Sequence, residues 1–395
     1  MTLMEIMDLS SEVAMDDSYG FSVECVSGFK HQDTLLPVHN ECDLDSDLWS
    51  DLPRHLIEKI LAWLPIPSYL RFRRVCKTWN KLLQSPGFLR ECHDVPSQGS
   101  WFLMFKNDHY REAATYNPSL DCWHPIPLVI TSAPGQISFH VAASEGLLCY
   151  YAAECDNVVV CNPLTRCWRK LPPTLRVQFF QPVGMVKERT TESYKVVVAG
   201  IWATYGACYP IAEVYDSTTN SWSITSNTPP NFPLHPPGIL CSNTLYWRCH
   251  EPHGLVTYDL QEQAWSQIHA PLPQSFESYG LVESGGNIFV IGRQEEPTGK
   301  CVCIFQLRST QLTWEEVDRM PGALLEEFLR NAAQDAYFRC IGHSDQVLIS
   351  MCGRNMPQLL YDVRKKRWHR LPRCPMPEHR MVDGFSFEPR LGASV

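Results

Sequence analysis

Between residues 49 and 90 the apolar positions recur at helical spacing. Leu52, Leu56, Ile57, Ile60, Leu61 and Leu64 step by three and four, which draws one apolar stripe along a helix. Pro53 suits the first turn, where its missing N–H is not needed. Pro65 and Pro67 are expected to stop the helix, and Ser68 to cap a second one. The apolar positions of that second helix are Leu70, Phe72, Val75, Cys76, Trp79, Leu82 and Leu83, with Ser85-Pro86-Gly87 as its end. Arg71, Arg73, Arg74, Lys77 and Lys81 make it basic. A helical module this small buries too little surface to stand alone. Its leftover apolar surface is therefore expected to be a docking face.

From residue 100 onward the pattern turns to short β-rich runs divided by Pro, Gly, Asn and Ser clusters. Examples are WFLMF at 101–105, LLCYY at 147–151, YKVVVAGI at 194–201, LYW at 245–247, NIFVIG at 287–292 and QVLISM at 346–351. Six segments within this region repeat one shape. They end at Trp123, Trp168, Trp222, Trp265, Trp314 and Trp368, at intervals of 45, 54, 43, 49 and 54 residues, a mean of 49. Tyr116, Tyr215, Tyr258 and Tyr361 stand seven residues before their Trp; Cys161 takes that place once, and Phe305 stands nine before Trp314. Asn or Asp follows the first residue in five of the six: Asn117, Asn162, Asp216, Asp259 and Asp362. Leu-Pro or similar tails trail several of the Trp residues, as at Leu171-Pro172 and Leu371-Pro372.

This is hairpin chemistry. A strand ends at the aromatic residue, Asn or Asp bonds the nearby backbone to start a turn, and the next strand opens at Trp. A Trp that buries ~150–250 Å² can wedge between neighbouring sheets. A period near fifty residues with four strands per unit is the signature of a propeller.

Charge divides the chain in a different way. The protein has 395 residues and a net charge of −9, but residues 1–48 alone carry eleven acids and one base, leaving the remainder at +1. The acidic segment shows no sustained period and is expected to be largely disordered. The balance argues against a general nucleic-acid or membrane-surface binder. No run of eighteen apolar residues occurs, and the acidic start resembles neither a secretory signal nor a transit peptide. A cytosolic or nuclear location is expected. The seventeen cysteines are then mostly thiols, many of them in apolar runs.

The repeat region resembles the kelch family of β-propellers. Six blades at 49 residues account for residues 101–395. In that reading blade four runs through 239–241, 245–249, 255–259 and 264–268. The first repeat has only three strands (101–106, 111–117 and 121–126), and Phe385–Glu388 supplies the fourth and closes the ring. One feature departs from the family: kelch repeats usually carry Gly-Gly after the second strand. Here Gly200, Gly292 and Gly353 stand singly, and Gly285-Gly286 precedes its strand.

Residues 49–83 resemble an F-box, which begins Leu-Pro and ends Val-Cys-x-x-Trp. Leu52-Pro53, Ile60-Leu61, Leu64-Pro65, Val75-Cys76 and Trp79 hold the corresponding positions. The fold class implied is a mainly β, kelch-like six-bladed propeller preceded by a small all-α module. Its segments are an acidic leader over 1–48, an F-box over 49–95 and a propeller over 100–395. The resemblance further implies that the helical module binds the Skp-type adaptor of a cullin–RING ubiquitin ligase. Leu52, Pro53, Leu56, Ile57, Ile60, Leu61, Leu64 and Pro65 would make the contact, while Val75, Cys76 and Trp79 would hold the helices or touch the partner. The propeller would capture a target protein, and the chain itself would perform no chemistry.

Two other readings stand beside it: a non-degradative scaffold or transcriptional co-regulator using the propeller alone, and an oxidase-like propeller enzyme. For the last, His250 and His253 lie three apart, Cys301 and Cys303 alternate on one side of a strand, and Cys340 lies near His343. No CxxC framework, P-loop, GxSxG or HExxH occurs. Solvated histidines and core-packed cysteines are expected, with no cofactor or metal. The basic run Arg364 to Arg367 fills a hairpin turn and is expected to be solvated.

Target capture is expected on the loops after the second strand of each repeat. These carry Lys106, His109, Tyr110 and Arg111; Trp202, Tyr205 and Tyr209; His250 and His253; Arg293 and Lys300; and Arg354. Aromatic and Arg side chains are typical anchors, and the basic character suits an acidic segment.

Overall fold

The protein is described from a computed structural model that covers residues 52–75, 77–106, 113–126, 137–152, 157–188, 191–204, 207–227, 234–249, 254–272, 276–297, 299–330, 338–351, 357–375 and 382–395. The acidic segment 1–48 lies outside them.

Four helices come first: α1 (Arg54–Ala62), α2 (Ile66–Val75), α3 (Lys77–Leu82) and α4 (Pro86–His93). Several helix boundaries differ from those the residues predict. Pro53 is the N-cap of α1, with φ −55° and ψ 139°, and its carbonyl accepts from the amides of Leu56 and Ile57. Pro67 and Ser68 sit inside the first turn of α2, where proline is tolerated, so Ser68 is not a cap. Ser85-Pro86-Gly87 starts a helix instead of ending one. Ser85 Oγ accepts from the Phe88 amide at 3.3 Å, and Pro86 occupies N1 of α4.

The strands that follow form six four-stranded antiparallel sheets. The first holds β1 (Trp101–Lys106), β2 (Ala113–Asn117) and β3 (Cys122–Ile126). The second holds β4 (Ile137–Ser144), β5 (Leu147–Ala152), β6 (Asn157–Asn162) and β7 (Cys167–Lys170); the third, β8 (Phe179–Lys187), β9 (Tyr194–Thr204), β10 (Ala207–Asp216) and β11 (Ser221–Ile224). The fourth holds β12 (Leu234–Cys241), β13 (Thr244–Cys249), β14 (Gly254–Asp259) and β15 (Ala264–Ile268); the fifth, β16 (Phe276–Ser284), β17 (Asn287–Glu296), β18 (Gly299–Arg308) and β19 (Thr313–Arg319). A short helix, α5 (Gly322–Leu329), leads to the sixth, made of β20 (Phe338–His343), β21 (Gln346–Met351), β22 (Leu359–Asp362) and β23 (Arg367–Arg370). The last strand, β24 (Val382–Phe387), returns to β1, pairing Trp101 with Phe387 and Lys106 with Val382. First and last strands therefore share one blade, and the six-bladed ring is closed. Gly384 belongs to this closure, because a Cβ there would lie 2.6 Å from the Leu103 carbonyl oxygen.

The repeated Tyr and Trp are cross-strand partners. Tyr116 faces Trp123, Tyr215 faces Trp222, Tyr258 faces Trp265 and Tyr361 faces Trp368, with ring centroids 4.7–5.4 Å apart. Phe305 does not hold this place in the fifth blade. Leu307, seven residues before Trp314, lies opposite it at the spacing of the other repeats; the bulge in this ladder falls beyond it, between Ile304 and Phe305. In three blades the indole N–H then reaches the neighbouring blade. Trp123 donates to the Pro372 carbonyl at 2.8 Å, Trp222 to that of Pro172 at 2.7 Å and Trp314 to that of Ala270 at 3.0 Å. In two of the three the acceptor is the Pro of a Leu-Pro tail.

The helices share a core with the first two blades. Leu61, Ile66, Tyr69, Phe72 and Phe88 join Trp101, Leu103, Leu148, Tyr150, Leu164 and Phe387 in one buried cluster. Arg73 donates to the Leu164 carbonyl in the β6–β7 turn at 3.4 Å, and His93 lies 3.5 Å from Glu192 in the β8–β9 turn. The tail after β24 seals this side, where Asn162 Nδ2 donates to the carbonyls of Arg390 and Ala393, each at 2.9 Å. The contacts lie at the ends of strands joined by first-to-second and third-to-fourth turns. Antiparallel alternation puts the second-to-third turns on the far face.

Candidate functional site

Two surfaces remain once the core is accounted for. The first is the outer side of α1. Leu61 is only 2% exposed and packs into the shared core, so the structure corrects the expectation that it faces a partner. Ile57 and Leu64 are half-buried against the same cluster. Leu56, Ile60 and Trp63 point away, at 39, 42 and 60% exposure. They follow i, i+4, i+7 spacing and form one continuous apolar ridge, with exposed Pro53 at its start and half-buried Leu52 before it. Pro65, beyond the end of α1, is exposed too.

Trp63 was not among the residues singled out from the sequence. Its signal is a second stripe: α1 is apolar on two faces, and among the described residues the 57–61–64 face is the one packed into the core.

The base of this ridge is held by polar chemistry. Glu58 is buried; its Oε1 accepts from Arg54 Nε and Ser85 Oγ, both at 3.1 Å. That sets a carboxylate at the N-terminal end of α4, where the helix dipole favours it. Gln98 closes the α1–α2 corner, accepting from the Ile66 amide and donating to the Leu64 carbonyl, each at 2.9 Å. Trp79 stacks on Phe72 with centroids 5.5 Å apart, which ties α3 to α2. Val75 ends α2, and Cys76 lies outside the described residues.

The second surface is on the far face. Trp202 near the end of β9 pairs with Tyr209 on β10, with ring centroids 6.2 Å apart. Trp202 is half-buried and Tyr209 exposed. The Arg176 guanidinium, from the β7–β8 connection, lies over the Trp202 ring 4.7 Å from its centroid. Glu213, fully buried, fixes that connection: its carboxylate accepts the amides of Leu175, Arg176 and Val177 at 2.7, 2.6 and 2.9 Å. Arg176 and the exposed Leu175 beside it were missed in the sequence because they follow the fourth strand of a repeat.

Arg293 departs from the expectation of an exposed anchor. It lies within β17, is 5% exposed, and pairs with Glu277 at 2.6 Å. A paired, buried guanidinium serves the blade interior. Tyr110, Arg111, Tyr205, His253 and Arg354 lie outside the described residues. The two surfaces are far apart: from Tyr194 to Trp202, β9 alone advances about 27 Å along the blade.

A family model for the F-box domain matches residues 49–91, and one for the F-box associated beta propeller domain matches residues 115–368, more than half of the chain. The chain belongs to the F-box associated β-propeller family. Among similar plant proteins, F-box only protein 6 of Arabidopsis thaliana is 29% identical over 362 residues, covering 88% of this chain and 75% of that protein. UNUSUAL FLORAL ORGANS of the same plant is 25% identical (89 and 87% covered), and ABERRANT PANICLE ORGANIZATION 1 of Oryza sativa subsp. japonica is 27% identical (88 and 90%). Several F-box/kelch-repeat proteins of Arabidopsis thaliana match as well. The matched propeller model is thus the F-box associated one, in keeping with repeats that lack the expected Gly-Gly doublet.

Proposed function

We propose that this F-box protein is the substrate-recognition subunit of an SCF-type ubiquitin ligase. Its α1 ridge docks a Skp-type adaptor and, through it, the cullin and RING subunits. Its far propeller face holds a target protein. Ubiquitin transfer belongs to the other subunits, so this chain has a non-catalytic role, in the cytosol or nucleus. The observation that carries the reading is the Leu56–Ile60–Trp63 ridge, an apolar strip left exposed among the described residues on a module whose other face is fixed in the propeller's core. Burying such side chains is worth roughly 1.5–3 kcal/mol each when complete.

Replacing Leu56 and Ile60 by Ala is expected to cut adaptor co-purification by about tenfold or more, while Trp202→Ala leaves it unchanged. Undiminished recovery of adaptor with the double variant, its propeller folded, would refute the assignment. The scaffold reading predicts instead that function survives loss of residues 49–90.

A further inference from the structure

The far edge of blade five brings together three side chains that the proposed function does not use. Cys301 and Cys303 project from the same side of β18, with their sulfurs 3.5 Å apart. Glu296 comes from the other strand of the hairpin, and its carboxylate and the two sulfurs all lie within 4.8 Å of one another. The sequence carried only half of this arrangement, a C-x-C pair without a second pair. The hairpin register supplies the rest, placing Gln294 opposite Cys301 and Glu296 opposite Gly299.

We propose that Glu296, Cys301 and Cys303 form a zinc site that clamps the end of the β17–β18 hairpin on the far face of the propeller. The sulfur separation fits tetrahedral zinc better than a linear two-thiolate ion. Tetrahedral zinc with Zn–S bonds of about 2.3 Å needs its sulfurs about 3.8 Å apart. A linear two-thiolate ion with bonds of similar length needs about 4.6 Å. The observed 3.5 Å is close to the tetrahedral value. Glu296 needs only a side-chain adjustment to reach bonding distance, and at 31% side-chain exposure it stands at the open edge, where water can take the fourth position.

Charge fits as well. As the two Zn–S bonds form, both thiol protons leave to solvent. Zn²⁺ with two thiolates and one carboxylate carries one net negative charge. Arg319 stands beside the site to offset it, 3.3 Å from Glu296 and 2.8 Å from Glu316, on the residue paired with Cys303 across β18–β19. Such a neighbouring cation orients and balances the ligands without binding the metal.

The test uses the full-length chain, reduced and freed of metal, titrated with Co²⁺ and then Zn²⁺. One equivalent of Co²⁺ should give the visible absorption of a tetrahedral, thiolate-bound ion, and Zn²⁺ should abolish it. Cys301→Ser/Cys303→Ser should lose the signal, and Cys374→Ser should keep it. Glu296→Gln, a substitution at a solvent-facing position, should leave the fold intact and weaken zinc by about tenfold or more. This variant keeps the test decisive should the double cysteine variant not fold. No tetrahedral spectrum with the wild type, or an affinity unchanged by Glu296→Gln, would overturn the proposal.

Discussion

Glu213 shows how one buried side chain can set a surface. Its carboxylate receives three backbone amides of the β7–β8 connection and so presents Leu175 and Arg176 beside Trp202. Glu213→Ala strips those amides of their acceptor inside the protein. It should lower unfolding free energy by about 3 kcal/mol in chemical denaturation. A second residue-scale prediction concerns His343, at the end of β20 in a channel of about 230 Å³ between the inner strands. Burial holds its pKa below the usual value, with Glu388 and Glu145 opposing the shift. The folded state therefore binds fewer protons than the unfolded chain once the pH falls through the unfolded value near 6.5, and stability is lost on acidification. His124, shifted the same way by burial and by Arg71, adds to the slope. Thermal melts from pH 7.5 to 5 should fall less steeply for His343→Gln than for the wild type; equal slopes would contradict this account.

The repeating element is the Tyr–turn–Trp hairpin. Its turn residues act as their chemistry predicts: the side-chain oxygens of Asn117, Asn162, Asp216 and Asp259 accept the amide two residues on, and that of Asp362 the amide of Lys365, at 2.8–3.0 Å. Each hairpin also has a left-handed residue two positions before its Trp, such as Asp121, Asn220, Gln263 and Lys366. The Trp contribution differs between blades, and this can be measured. Trp222 donates to the Pro172 carbonyl of the preceding blade, whereas the Trp265 indole N–H is buried without an acceptor among the described residues. Trp222→Phe should therefore cost about 1–2 kcal/mol more than Trp265→Phe in denaturant titrations. Equal costs would mean that ring packing alone holds the blades.

The period and the turn residues were legible in the sequence because they depend on local chemistry repeated along the chain, and the closing strand because the first repeat has only three strands of its own. That Leu307 and not Phe305 faces Trp314 follows the same seven-residue spacing as the Tyr of the other blades, and the aromatic at 305 obscured it; the bulge between Ile304 and Phe305 depends on pairing with β19 and left no mark in the sequence. Helix ends were misread where proline has two roles: Pro67 and Pro86 begin helices instead of ending them. The apolar stripe of α1 was visible, but one dimension could not divide it into a buried side containing Leu61 and an open side containing Trp63. That division depends on where the propeller lies. Arg293 was assigned to a loop because strand β17 runs farther than its apolar stretch.

At the scale of the whole molecule, the helical module and the propeller are one packed body with two separated faces. The shared core, the Arg73–Leu164 contact and the tail over Asn162 fix the α1 ridge relative to the blades. Under the proposed function, a target on the far face would be presented at a set distance from the adaptor. Hydrogen–deuterium exchange of the full chain, alone and with a Skp-type adaptor, tests this arrangement most directly. The account predicts slowed exchange across residues 52–64 and no change across 199–212. Protection of 199–212 by the adaptor, or none across 52–64 when the adaptor is bound, would contradict it.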